Sequence, residues 1–192
     1  ILNGTAKDFF YTPVTPCRIV DTRNTTAGII GAFTQRNFKV HGLDGTISAQ
    51  GGNPAGCPSP LGEPFAAHIN LVAVNPTGKG NLQAFPVGAG AGAGLSVNYN
   101  TIDTNLANAG TVKTVTSVRP DITVASNFSS AHTVIDVLGY YYPDGDLLYA
   151  PVTPCRIVDT RNTSEGIIGV SDQRDFNVFG SSATITAQGG NS

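Results

Sequence analysis

Arginine and aspartate recur in a fixed pattern in this chain: Arg18, Asp21 and Arg23 in one stretch, and Arg156, Asp159 and Arg161 in another. Only 12% of the residues are charged, so two identical constellations stand out. Asp21 and Arg23 are two residues apart and hence on the same face of a strand, where carboxylate and guanidinium can form a charge-assisted pair. Such a set can bind a carboxylate or a glycan, or it can pin the loop that follows. In so sparsely charged a chain the pinning role is the expectation.

Other candidate chemistry is thin. His41 is replaced by Phe179 at the matching place, so the fold does not require an imidazole there, and His68 and His132 flank apolar stretches. Glu63 and Glu165 are the only glutamates, and no G-x-S-x-G elbow accompanies the histidines, so no enzyme is expected. Residues 88–94 (GAGAGAG) place Gly88, Gly90 and Ala93 on the loosest dinucleotide fingerprint. That fingerprint needs a helix after it to hold pyrophosphate, and the strand-like LSVNY follows instead, so a hairpin connection is expected. Asp144 and Asp146 can offer oxygen ligands to Ca²⁺, with no third carboxylate beside them. Tyr140, Tyr141 and Tyr142, followed by Leu147, Leu148 and Tyr149, are expected to pack one module against the next, or to offer a platform for sugars. Sequons at Asn3, Asn24, Asn127 and Asn162 are compatible with glycosylation.

What positions these residues is a repeat. Residues 149–191 match residues 11–53 without a gap at an offset of 138, with about 30 of 43 positions identical. Self-similarity at a fixed period marks a tandem array. The expectation is one whole unit at 1–142, a linker at 143–148, and the opening third of a second unit at 149–192, cut from something longer. The start at Ile1 fits a processed or excised extracellular piece, and equally an expression fragment. Cys155 is the counterpart of Cys17, and the counterpart of Cys57 falls at 195, so a unit carries two cysteines. A Cys17–Cys57 disulfide is expected; two buried free cysteines are the alternative. The bridge closes a loop of about 40 residues, worth on the order of 4 kcal/mol in the chain-entropy model, and disulfides belong outside the cytosol.

Twenty-three Gly and 12 Pro among many β-branched residues are the composition of a turn-rich β protein. A net charge of −2 without a basic cluster lacks the footprint of a nucleic-acid binder. No stretch approaches the 18 or more apolar residues of a membrane-spanning helix. Alternating patterns predict strands at 17–22, 36–40, 68–74, 81–87, 95–99, 112–118, 122–125 and 133–142, with 24–31 as a loop and 43–60 as mostly loop. No 3.6-residue stripe is sustained. Strands at this spacing, separated by turn residues, predict an all-β module: an antiparallel β-sandwich of jelly-roll-like type.

The order PVTPCRIVDTR, QGGNPAGC, INLVAVNPTGKGNLQAFP, LSVNYNTIDTNLANAGTVKTV, VIDVLGYY resembles a repeat of bacterial secreted and cell-surface proteins. That repeat opens on PCRxxDTR, continues through a later Cys and an NxNxxxGxxxAN segment, and closes on xxDVxGYF. Departures here are Asn100-Thr101-Ile102 and the Gly-Ala run. The resemblance implies a secreted, all-β, cell-surface module without assigned activity, often in tandem. Two functions are therefore expected as alternatives. One is a structural repeat of an extracellular filament, stalk or surface layer whose partner is itself; the other is an adhesin presenting a surface-glycan site many times.

Overall fold

The computed structural model describes residues 9–43, 45–90, 94–100, 105–115, 120–145 and 155–191. It divides into two compact units, Ile1–Tyr149 and Ala150–Ser192.

Among the described residues the first unit has eight strands: β1 (Phe10–Asp21), β2 (Thr34–Phe38), β3 (Ala66–Val74), β4 (Gly80–Pro86), β5 (Leu95–Tyr99), β6 (Leu106–Lys113), β7 (Ile122–Asn127) and β8 (His132–Tyr142). One sheet runs β1-β8-β3-β6 and the other β2-β7-β4-β5, all pairs antiparallel. The chain crosses between sheets at nearly every step, which is the strand order of an eight-stranded double-sheet jelly roll. Inward residues of both sheets, among them Ile19, Leu71 and Val137 from one and Leu82, Val97 and Val124 from the other, form a single core. The expected all-β sandwich is what forms.

Burial follows the alternation read in the sequence. In β3, Ala67, Ile69, Leu71 and Ala73 are fully buried while His68, Asn70 and Val72 are only partly covered. β8 lies between β1 and β3, and its Val134, Ile135, Val137, Tyr140 and Tyr142 are buried. β1 is an edge strand, and its Pro13 and Pro16, which cannot donate to a ladder, lie by the irregularity between Pro13 and Cys17. Its first residue pairs with the last of β8, Phe10 with Tyr142.

Two expectations about elements are corrected. The strand expected at 112–118 is β6 at Leu106–Lys113; the Asn- and Gly-containing segment LANAG, weak in strand propensity, is drafted in by eight register pairs with β3. Positions 116–119, including the expected Thr116 and Val118, lie outside the described residues. Residues 43–60 are mostly loop, with the short α1 (Gly45–Ala49) among them burying Ile47. A single turn of Thr, Ile and Ser is too short to leave a periodic signal. Asp21 ends β1 and caps a 3-10 turn at Thr22–Asn24, so Arg23 is one turn beyond the strand rather than on it.

Next to α1, the glycines of AQGGN let this segment lie directly on β1. A Cβ on Gly51, whose φ is +77°, would stand 2.0 Å from the Asp21 carbonyl oxygen, and one on Gly52 2.6 Å from that of Arg18. That contact permits the Asp21 N–H to donate to Gln50 O at 3.0 Å and the Asn53 N–H to donate to Arg18 O at 2.8 Å. The Gln50 side chain then makes three bonds to two backbones. Its amide donates to Ile19 O at 3.0 Å and Lys39 O at 3.1 Å, and its carbonyl oxygen accepts from the Lys39 N–H at 2.7 Å.

The second unit repeats these local devices. Asp159 caps a 3-10 turn at Thr160–Asn162, and α2 (Ser182–Ala187) matches α1. Gln188 makes the same three bonds, to Ile157 O, to Asn177 O and from the Asn177 N–H. Among the described residues 155–191 no strand forms; a lone bridge joins Val158 and Gly189.

Candidate functional site

Cys17 and Cys57 form the disulfide, with Cα atoms 5.8 Å apart, inside the usual span for such bridges. Gly42 and Cys57 exchange two backbone hydrogen bonds, at 2.9 and 2.7 Å, so the bridge fastens the segment after β2 to the edge strand. Cys155 is a free, exposed thiol.

The Arg and Asp residues form ion pairs. Asp21, 1% exposed, accepts from Arg23 Nε at 2.8 Å, Arg23 Nη2 at 2.6 Å and the Arg23 N–H at 3.1 Å. The bonds from Arg23 hold the Asp21 carboxyl below its ordinary range, against the opposing effect of burial. Arg18 keeps Nη1 3.8 Å from the Asp21 carboxylate and also reaches β8, with Nε 2.9 Å and Nη2 3.2 Å from the Asp136 carboxylate. In the second unit Arg161 forks onto Asp159 at 2.8 and 2.7 Å, holding that carboxyl at about 2. Arg156 turns to the same carboxylate at 3.3 Å.

Of the junction residues, Tyr140 and Tyr142 are corrected: they are core residues, not a packing surface. A β8 pattern that buries positions 140 and 142 turns both rings inward. The Tyr140 hydroxyl donates to Val40 O at 2.9 Å, and burial raises its pKa well above the ordinary phenol value. Tyr142 hydrogen-bonds Ser59. Tyr141 faces outward, beside Tyr11 at 5.1 Å between ring centroids. Leu147, Leu148 and Tyr149 lie outside the described residues, as do Asp146 and positions 91–93 of the Gly-Ala run. Asp144 lines a cleft with Leu61, Glu63 and Tyr142.

Two groupings were not legible in the sequence. The first unites His41, Glu63 and Asp121, which offer one ligand atom each, all within 4.8 Å of one another. His41 follows β2, Glu63 belongs to the connection before β3, and Asp121 immediately precedes β7. His41 Nε2 is 3.4 Å from Glu63 Oε2. Asp121 Oδ2 accepts the Val40 N–H at 2.9 Å, and the Asp121 N–H donates to Phe38 O at 3.0 Å. A cleft of about 310 Å³ lined by His41, Leu43, Pro58, Ser59 and Glu63 opens beside the cluster. One imidazole and two carboxylates can share a proton or hold a cation.

The second grouping is an aromatic pair. Phe33 and Phe128 are 73% and 68% exposed, with ring centroids 5.7 Å apart, edge to face. Both hold left-handed backbone, φ +57° and +72°, which is uncommon for a bulky residue. Ser171, the counterpart of Phe33, keeps φ at +62° without the ring. The turn therefore does not need the aromatic.

His132 and His68 serve the fold. His132 Nδ1 is 3.1 Å from the Thr22 hydroxyl, which also accepts the Thr133 N–H at 2.9 Å, and burial, aided by Arg23, lowers the imidazole pKa. His68 Nδ1 is 3.2 Å from the Thr111 hydroxyl on β6. No helix among the described residues is long and apolar enough to cross a membrane.

Set beside protein-family models, curated proteins and solved structures, the chain matches none.

Proposed function

We propose that this chain is a repeat module of an extracellular structural array: a filament, stalk or surface layer on a bacterial cell, associating with copies of itself. The observation carrying this reading is the 138-residue period, together with the recurrence at 155–191 of the Asp-Arg fork, the short helix and the glutamine clamp found at 17–53. Motif order supports it through the resemblance to secreted repeat proteins. A disulfide, a sparsely charged surface and edge strands available for pairing suit a module that works outside the cytosol and meets its own kind. Quasi-linear arrays gain length by repeating one nearest-neighbour contact. Electron microscopy of native material tests the reading: fibres or layers with a regular repeat are expected, and dispersed particles overturn it.

The exposed Phe33–Phe128 pair favours a second reading, an adhesin whose modules each present a glycan site. Exposed apolar patches mark binding surfaces. A glycan array probed with the chain and with F33S separates the two: binding lost in F33S supports the adhesin, and no binding leaves the structural reading.

A further inference from the structure

We propose that His41, Glu63 and Asp121 bind one divalent transition metal of the zinc class, with a remaining coordination position open to the neighbouring cleft. The donor set is the first part of the fit. Zinc takes imidazole and carboxylate ligands at about 2.0–2.2 Å, and such a tetrahedron has edges of about 3.3–3.5 Å. The 3.4 Å between His41 Nε2 and Glu63 Oε2 is such an edge, and no pair of the three ligand atoms is more than 4.8 Å apart. Two carboxylates offset the charge of the ion. Calcium is disfavoured because it wants six to eight oxygens, and here one of three ligands is a nitrogen.

The second part is how firmly two of the ligands are held. Asp121 is 1% exposed and its carboxylate is aimed by the Val40 N–H. His41 is buried, with the Tyr140 ring edge-on at 6.3 Å and Gly42 beside it fastened to Cys57 by two backbone bonds. Glu63, the exposed member, stands at the mouth of the cleft and closes the set. Metal ligands are oriented by such outer contacts. Three protein ligands with an open side is the arrangement that leaves a place for water or an added ligand. An ion here would cross-link residues 41, 63 and 121, three connections of the sandwich that only the fold brings together.

The site belongs to the first unit and not to the repeat plan, since Phe179 stands where His41 does. This supplies the test variant, H41F, which installs the residue the chain already uses at that place. The chelator-stripped full chain is titrated with Zn²⁺ by calorimetry, with Co²⁺ as a visible-absorbing probe and Ca²⁺ as competitor. One Zn²⁺ per chain is expected, with Co²⁺ bands of a four- or five-coordinate site and no displacement by Ca²⁺. Loss of an outer partner costs metal sites about 10–100-fold, so H41F and D121N, which remove ligands, should weaken binding by ~100-fold or more. E63Q, at an exposed position, should weaken it by ~10-fold while circular dichroism stays unchanged. Absence of Zn²⁺ binding, affinity unchanged in E63Q or in a folded H41F, or displacement by equimolar Ca²⁺ each overturns the site.

Discussion

Arg18 in residues 11–53 stays 3.8 Å from Asp21 and crosses to bond Asp136 on β8; Arg156, its counterpart in residues 149–191, turns to Asp159 three residues away. Val40 and Ile30 are 0% and 1% exposed in the first copy, yet their counterparts Val178 and Ile168 are 70% and 43% exposed in the second. The difference lies in what each copy has to pair with. β1 and β2 are held by β8 and β7, which come from about a hundred residues further on. Residues 155–191 contain no counterpart of β7 or β8, so the edge-strand sequence forms no ladder there. Turns, caps and the glutamine clamp recur because every partner they need is within about 35 residues. Local devices in this repeat are thus encoded locally, while strands are conferred by the rest of the unit.

The largest expected effect comes from the covalent link within the first unit. Cys57→Ala should destabilise the first unit by about 2–5 kcal/mol, read from the denaturant midpoint. Alkylation without reductant should label Cys155 and spare Cys17 and Cys57; label on Cys17 breaks the contrast. Next comes Asp21→Asn. Removing a buried carboxylate from its guanidinium fork should cost about 1–2 kcal/mol, moderated because Arg23 remains half in water. Asp159→Asn should leave the unfolding of the first unit unmoved, and equal effects of the two would erase the distinction drawn here.

A smaller effect is expected from pH. His132 has a lowered pKa in the folded state, so between that value and the ordinary one near 6.5 the unfolded chain binds the extra proton. Stability from this source is complete above about pH 6.5 and declines as pH falls toward the folded pKa. His132→Gln should flatten that slope in thermal melts. Asp21 works in the same direction further into acid, because its depressed carboxyl stabilises above the ordinary carboxylate range and the contribution is lost as pH falls through the folded pKa. The smallest effect is that of F33S, which copies Ser171 into the same left-handed turn and should shift stability by less than about 0.5 kcal/mol. A larger loss would mean that the exposed ring supports the fold after all.

Most of the sandwich was legible because inward positions of β3 and β5 alternate plainly and β8 is rich in β-branched and aromatic residues. The disulfide followed from counting cysteines against the period. β6 was misplaced because LANAG has no alternation of its own and is a strand only by virtue of β3. The tyrosine run looked like a surface because three aromatics in a row carry no sign of which way a strand turns them; burial of Tyr140 and Tyr142 is decided by β8 being central. The His41–Glu63–Asp121 grouping had no linear trace, since 22 and 58 residues separate its members, and the replacement of His41 by Phe179 argued against looking there.

Phe10 and Tyr142 are opposite one another at the end of the β1–β8 pair, so the polypeptide enters and leaves the first sandwich at the same place. Tension applied through these two points peels the edge strand from its neighbour one rung at a time rather than shearing many rungs together. Peeling is the weak direction for a sheet, yet it reaches Cys17 after only a few rungs, where the sulfur bridge to Cys57 takes the load. A fibre strung through this module would yield a short, recoverable slack under strain and then stiffen.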